Sequence, residues 1–402
     1  MTTALSLMLL AAMAWWSLRW IPAGADGRMP LPFLIALIRF LWIPVMLVAA
    51  FAAAQRYWGL AFTGLALALL FLQGTSPYYH HPLARRGQRA DVDDVDIVND
   101  VNDVNANVRD DGAQSVSSLN VMTLNCRYGH ADAAQIVHTV TEHNVDVLAL
   151  QELTESLIGR LQAAGLQEAL PYRQLGEPGP QDNGGFNGIW TRYRPLRSTA
   201  ESISIPAAQV PAITLPAVTA TALPTTALPA TTATITLASA HPKSPMRGCR
   251  QWSEGIMALA ALIPRPNDDH GTDIGRAADT LGRNDPGETA PAPDARAVVV
   301  MGDLNSDYDH PSFRSLLRAG YRDAGLERGR GPLHTFPAWL HWPGLDLDHV
   351  LLGGGTDAYD LTATRIDGSD HLALNATVAI SPVTARMNAY QPDRRPRRLW
   401  HR

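Results

Sequence analysis

Residues 298–309 read VVVMGDLNSDYD. Three valines and a methionine in succession, opening at Ala297, form a short apolar run of the kind a buried strand carries. A glycine ends the run, and Asp303 and Asn305 follow at once. A hydrophobic strand that delivers a carboxylate and an amide at its end holds both on a rigid support. The fold turns on whether the chain's other polar groups are delivered in the same way.

Four further regions repeat the arrangement. TLNCRYG places Asn125 after the run Leu119–Leu124, ALQELT places Gln151 and Glu152 after Val145–Leu150, and SAHPKSP places His241 after Thr234–Ala240. The pair LDLDHVL and GSDHLAL sets Asp348 beside His349–Leu352, and Asp370 and His371 beside Leu372–Ile380. Between these runs, Ala134, Val137 and Val140 have helical spacing within His130–Asn144, and Thr154–Ala164 and Ser312–Arg318 read as two more helices. Strands interleaved with helices and long loops predict a layered α/β domain beginning at Ser118. Strand ends are where open sheets collect their sites.

The residue types point to phosphoryl chemistry. Glu152 and Asp370 are hard oxygen ligands suited to Mg²⁺, which takes few carboxylates and several waters. Asn125 and Asn305 can donate to phosphoryl oxygens. His371 can act as a base or hold a phosphate, with Asp348 orienting it, while His349 reads as structural. The sequence contains no Cys/His cluster with zinc spacing, no P-loop and no GxSxG elbow. Cys126 and Cys249 are the only cysteines, too few for a disulfide framework, and Cys126 reads as a small buried hydrophobe.

With LNCRYG, LQE, GDLN, LDHVL and SDH in that order over Leu119–Ile380, the domain resembles the endonuclease/exonuclease/phosphatase superfamily, the fold of DNase I, abasic-site endonucleases, neutral sphingomyelinases and inositol-polyphosphate phosphatases. The run NCRYGHADAAQIV, downstream of apolar segments, is similar to the membrane-anchored bacterial branch that includes the VanJ-type teicoplanin-resistance proteins. The resemblance implies a four-layer α/β sandwich of two packed sheets with helices outside. It implies Glu152 as the principal ligand of Mg²⁺, with Mn²⁺ as an alternative, and Asp370 and Asn125 nearby. It also implies Asp303 as the residue that positions or deprotonates the attacking water, Asn305 and His241 as phosphate contacts, and His371 with Asp348 as the pair that polarises the phosphoryl group. Arg127 departs from the pattern, because some abasic-site nucleases carry an aspartate there. It weakens a nuclease reading and adds positive charge for an anionic substrate.

The 402 residues are 46% hydrophobic and only 18% charged, and the apolar excess lies at the N-terminus. Thr3–Leu18, Leu31–Ala54 and Tyr57–Leu72 read as three membrane helices within an anchor at 1–73, against a need of about 20 apolar residues per crossing. Pro44 predicts a kink. Trp15, Trp16, Trp20, Trp42, Tyr57 and Trp58 lie near the segment ends, as aromatic belts do. With three crossings, Arg19, Arg28, Arg85, Arg86 and Arg89 share a side with the large domain, which by the positive-inside rule is the cytoplasm. The resembling branch places that domain outside, and an extracytoplasmic catalytic domain on a multi-pass cell-membrane protein is the expectation adopted.

Residues 74–117 form an acidic linker whose core, 91–111, holds eight acidic residues and one arginine. The formal charge of −5 therefore belongs to a tether; the remaining chain carries 32 basic and 30 acidic residues. Stretches 201–234 and 265–295 read as loop insertions, with room for a strand or two in the first, and 382–402 as a basic disordered tail. The catalytic domain spans 118–381. The expected partners are the lipid bilayer and a phosphorylated, lipid-linked substrate. Nucleic acid is disfavoured for lack of a basic stripe, and nothing points to a protein partner. A membrane-tethered nuclease, a soluble-substrate phosphatase and an inactive binding module stay open as alternatives.

Overall fold

The computed structural model describes residues 1–79, 116, 118–179, 183–206, 208–217, 233–264 and 296–380. The acidic linker core, the insertions at 218–232 and 265–295, and the basic tail lie outside the described residues.

Two six-stranded sheets form the body. The first contains β1 (Ser118–Asn125), β2 (Val147–Leu153), β3 (Tyr172–Leu175) and β4 (Phe186–Thr191), completed by β13 (Thr356–Arg365) and β14 (Leu372–Ile380), in the order β13-β14-β1-β2-β4-β3. The second contains β5 (Arg197–Thr199), β8 (Ala212–Ala217), β9 (Ala233–Ser239), β10 (Arg296–Asp303), β11 (Arg322–Asp323) and β12 (Asp348–Gly353), in the order β11-β12-β10-β9-β8-β5. A small ribbon pairs β6 (Ser204–Ile205) with β7 (Ala208–Gln209).

The period-2 geometry of strands explains why their sequences are continuously apolar. Along β10, Ala297, Val299 and Met301 point into the core between the sheets, while Val298 and Val300 point outward under the helices Pro245–Ala258 and Pro311–Ala319. Along β1, Leu119 and Val121 face the inner core, and Met122 and Leu124 face Ala133–Glu142 and Glu155–Ala163. The result is the expected four layers, helix, sheet, sheet, helix. Asp132 and Thr154 cap the latter two helices by accepting from the backbone N–H of Gln135 and Leu157, respectively.

The stretch read as an insertion at 201–234, with room for a strand or two, contributes β8, which pairs with β9 along six residues. Other elements were not expected. β4 is fully buried in the first sheet. β13 escapes a hydrophobicity reading because it is an edge strand whose residues are mostly solvent-facing, with Thr356 and Leu361 as its buried positions.

The N-terminal region folds as α1 (Thr2–Trp16), α2 (Leu31–Ala36), α3 (Trp42–Ala54) and α4 (Trp58–Gln73). At 1.5 Å per residue even the 16 residues of α4 reach only about 24 Å, against a hydrocarbon core of about 30 Å. Among the described residues no single helix is long and apolar enough to cross a membrane; Leu31–Phe40 and Trp42–Ala54 together pass on length and composition but are bent by 55°. The bend lies at Leu41 and not at Pro44. Pro44 sits in the first turn of α3, where its missing N–H costs no hydrogen bond. Leu31–Phe40 is instead docked on the catalytic domain: His310 Nε2 meets Pro32 O at 3.0 Å, and Arg39 reaches Asp346 at 3.0 Å. Outward-facing Leu7, Leu10, Leu47, Phe51, Phe62 and Leu69 leave α1, α3 and α4 with an apolar exterior.

Candidate active site

Parallel pairing of β1 with β2, and of β9 with β10, brings the C-terminal ends of these strands together. Their antiparallel neighbours β12 and β14 begin at the same edge. Asn125, Glu152, His241, Asp303, Asp348 and His371 meet there.

Asp303 is the centre. Its Oδ2 accepts from Asn125 Nδ2 at 2.9 Å and Asn305 Nδ2 at 3.2 Å, and its Oδ1 accepts from the Asn305 N–H at 2.8 Å. His241 Nε2 and His371 Nε2 lie 3.4 and 3.6 Å from Oδ2. Burial opposes the charge, but the imidazoles of His371 and His241 and the Asn125 bond outweigh it and hold the carboxyl well below the usual range. On its far side His371 places Nδ1 2.8 Å from Asp348 Oδ2. Burial disfavours an imidazolium there, yet Asp348 and Asp303 overcome it and raise the His371 pKa to about 10. His371 is thus a cation between two carboxylates at neutral pH.

Glu152 follows a register shift in β2 and has φ of +53°, so the strand departs from its ladder as it presents this side chain. Its Oε1 accepts from Asn125 Nδ2 at 3.2 Å and its Oε2 from the Tyr128 N–H at 2.8 Å. A Cβ on Gly184 would stand 2.7 Å from the Glu152 carboxyl, so only glycine admits the carboxylate. Gly302 plays the same part for β10: a Cβ there would meet Ala240 O at 1.9 Å, and its absence lets Asp303 approach His241. Arg127, Tyr128 and Asn305 share the left-handed backbone of Glu152. Strained conformations of this kind gather at functional sites.

The model of the Endonuclease/Exonuclease/phosphatase family matches residues 122–371. The chain belongs to this family. No curated protein matches the chain. Among solved structures it is similar to an endonuclease/exonuclease/phosphatase from Beutenbergia cavernae, at 15% identity over 67% of this chain and 73% of that one, with a TM-score of 0.43. A Bacteroides vulgatus endonuclease/exonuclease/phosphatase compares at 13% identity over 66% and 100%, and D. rerio TDP2 complexed with single-strand DNA product at 15% over 65% and 99%, each with a TM-score of 0.43.

Most residues expected of the endonuclease/exonuclease/phosphatase family site converge here. Two do not join it as expected. The Asp370 carboxylate lies 3.7 Å from Arg127 Nε in a partly exposed pair, so the expected metal ligand faces the arginine expected to add positive charge for the substrate. Asn125 turns its amide nitrogen to Glu152 and Asp303, while its oxygen accepts from the Arg127 N–H at 2.8 Å. The donor set fits a hard divalent cation through Glu152, a carboxylate fixed by two hydrogen-bond donors with Asp303 alongside. The one cluster among the described residues whose ligand atoms lie within 4.8 Å of each other is Asp303, Asp348 and His371, a different set from Glu152, Asp370 and Asn125. In that cluster His371 Nδ1 faces Asp348 at 2.8 Å and its Nε2 faces Asp303 at 3.6 Å, the geometry of a hydrogen-bonded relay. His349 turns away from the site, its ring nitrogens 2.8 Å from Asp323 and from Ser306 O.

The sequence reading missed three supports. Asn183 is buried; its Oδ1 accepts from the Ser244 N–H at 2.8 Å, which aims its Nδ2 at His241 Nε2, 2.9 Å away. The Asn-Gly-Gly run at 183–185 was its only signal. Thr335 Oγ1 accepts from the N–H groups of Leu347 and Asp348. Phe336 packs on His371 with ring centroids 5.0 Å apart, and opens a loop that exposes Trp339, Leu340 and Trp342. The uncharged, tryptophan-rich run between Arg330 and Asp346 carried that signal.

Proposed function

We propose that this protein is a membrane-anchored, Mg²⁺-dependent phosphoesterase acting on a lipid-linked phosphate ester or diphosphate, of the undecaprenyl-carrier or phospholipid type. The observation that carries the chemistry is the Asp348–His371–Asp303 arrangement, with Asn125, Asn305 and His241 turned toward the same carboxylate.

In this reading the substrate phosphoryl group enters between Glu152 and His371. A divalent cation held by Glu152 would supply charge to the phosphoryl and leaving oxygens. His371, kept protonated by its two aspartates, donates to a phosphoryl oxygen, and Asn125, Asn305 and His241 surround the charge that grows as water adds. Asp303 accepts from that water and aligns it with the bond to be broken. A carboxylate held so far down accepts a hydrogen bond readily but a proton poorly, so orientation is its main contribution. The phosphorus–oxygen bond to the alcohol or phosphate leaving group breaks as the water oxygen bonds to phosphorus; the leaving oxygen takes the His371 Nε2 proton, and the proton the water sheds returns to His371 by way of Asp303.

The lipid part rests on the surroundings. The apolar helices dock beside the site, and Trp342 meets Phe40 of the N-terminal region with ring centroids 6.3 Å apart. Exposed Trp339, Leu340 and Trp342 lie on the loop that opens at Phe336, whose ring packs on His371. Patches of this sort suit an apolar chain or the bilayer interface. Attachment to the membrane raises the effective concentration of the site at lipid head groups. The full chain assayed with Mg²⁺ on polyprenyl diphosphate, sphingomyelin and plasmid DNA should hydrolyse one of the lipids; hydrolysis of the DNA alone would overturn the lipid reading. In this reading the catalytic domain lies outside the cytoplasm, which an alkaline phosphatase reporter fused after Arg402 tests by its activity.

A further inference from the structure

Arg39 is an anomaly in an apolar segment, and the structure gives it partners far along the chain. It lies in the short helix Ile38–Phe40, at the bend before α3, and only 5% of its side chain is exposed. Its Nη2 is 3.0 Å from Asp346 Oδ2, its Nη1 donates to Gly344 O at 3.4 Å, its Nε faces Asp307 at 3.9 Å, and the guanidinium stacks over Tyr78. The other oxygen of Asp346 is 3.0 Å from His334 Nδ1.

The segments around Asp307 and around Gly344–Asp346 that this clamp grips both continue into the site. Two residues beyond Asp346 is Asp348, and two beyond Asn305 is Asp307. Thr335, next to His334, ties the N–H groups of Leu347 and Asp348 with its hydroxyl at 3.1 and 3.2 Å. Its carbonyl accepts from the N–H of Leu372, adjacent to His371, at 2.8 Å. Leu347 O accepts from the N–H of Leu304, adjacent to Asp303, at 2.8 Å. We infer that Arg39 is a positioning residue for the Asp348–His371 pair, so that the N-terminal helices complete the active site as well as anchoring it. The proposal rests on the phosphoesterase reading for its kinetic consequence alone.

The physical reason is the guanidinium fork. It pairs with buried Asp346 and grips the Gly344 carbonyl, and so fixes the backbone entering β12, while facing Asp307, whose nearer partner is His310 Nδ1 at 2.9 Å. Without it buried Asp346 loses its arginine partner, an arrangement that relaxes by moving the backbone. A displacement of about 1 Å at a reacting group can cost on the order of 10²-fold in rate.

The test uses the full chain in detergent, with Mg²⁺ and bis(p-nitrophenyl) phosphate as the soluble probe. Arg39→Met is compared with Arg39→Lys and with Asp26→Asn. Asp26 joins the N-terminal region to the catalytic domain elsewhere, accepting from the Ser312 N–H at 2.8 Å and the Ser312 hydroxyl, at the helix Pro311–Ala319 and away from the 344–348 segment. Arg39→Met should lower kcat tenfold or more with KM within twofold, and hydrogen exchange at the amides of Leu347, Asp348 and Leu372 should speed up at least tenfold. Arg39→Lys keeps the charge without the fork, and should recover part of the kcat. Asp26→Asn should lower Tm while leaving kcat and those amides unchanged. If Arg39→Met does not fold, a kcat for Arg39→Lys reduced several-fold, with faster exchange at the three amides, supports the proposal. Wild-type kcat and exchange in whichever Arg39 variant folds, or an equal kcat loss in Asp26→Asn, overturns it. A wild-type chain inert on the probe would refute the phosphoesterase reading, while the exchange comparison would still decide the role of Arg39.

Discussion

Asp303 and Asp348 stand opposite each other as register partners on β10 and β12, and His371 is held between their carboxylates. Like charges facing across antiparallel strands are ordinarily destabilising. A protonated imidazole between them turns the repulsion into a relay in which Asp348 orients the ring and Asp303 keeps its charge.

Breaking the relay at either end should therefore abolish turnover without unfolding the chain. His371→Ala and Asp348→Asn are expected to lose about 10²–10⁴-fold in kcat, the range for a positioned proton-transfer group. Far-UV circular dichroism should stay native. Native turnover in His371→Ala would remove this residue from the mechanism.

Asn183 should matter to rate through His241. Its orientation is fixed by Ser244, and its Nδ2 donates to Pro242 O at 3.0 Å and lies 2.9 Å from His241 Nε2. Asn183→Ala is expected to cost about 1–3 kcal/mol of transition-state stabilisation, read as roughly 5- to 150-fold in kcat/KM. Asn183→Asp, which cannot donate to Pro242 O when ionised, should behave no better.

The aromatic loop can be separated from the chemistry. Trp339→Ala combined with Trp342→Ala should reduce turnover of a phosphorylated lipid in vesicles about tenfold, a loss of about 1.4 kcal/mol. Turnover of bis(p-nitrophenyl) phosphate should stay within twofold. Equal losses on both substrates would mean that the loop supports the site itself and not the lipid.

His349 ties stability to pH. Burial opposes its charge, but Asp323 and the Ser306 carbonyl outweigh that and raise its pKa to about 9, against an ordinary value of about 6.5. The folded state favours the imidazolium. Its contribution is fully present below about pH 6.5 and is lost as the pH rises through about 9, and the gap between those values corresponds to about 3 kcal/mol. Between pH 7 and 9.5 the Tm of the wild type should fall more steeply than that of His349→Gln. Parallel curves would show that the Asp323 pair contributes nothing.

Much of this site was legible because its residues border apolar runs. Strands buried on both faces are continuously hydrophobic, so β1, β2, β10 and β12 are visible in the sequence, and the polar residues at their ends with them. Edge strands and long-range contacts are not visible in that way. β13 is mostly solvent-facing, and β8 lies in a Thr-, Ala- and Pro-rich stretch that reads as a loop. Asn183 and Thr335 act through partners distant in sequence, which no local pattern encodes. The Arg127–Asp370 pair was hidden for the same reason. Arg39 is the clearest instance: within the sequence it is one charge in an apolar segment, and its meaning lies in Asp346, 307 residues away.

The central claim is tested most directly by bis(p-nitrophenyl) phosphate hydrolysis across a Mg²⁺ titration, for the full chain and for Glu152→Gln. The account predicts saturable, Mg²⁺-dependent turnover that EDTA abolishes and Mg²⁺ or Mn²⁺ restores. It predicts that Glu152→Gln is about 10³-fold slower at any Mg²⁺ concentration, in line with loss of several kcal/mol of charge stabilisation. Turnover indifferent to EDTA, or a Glu152→Gln chain as fast as the wild type, would contradict it.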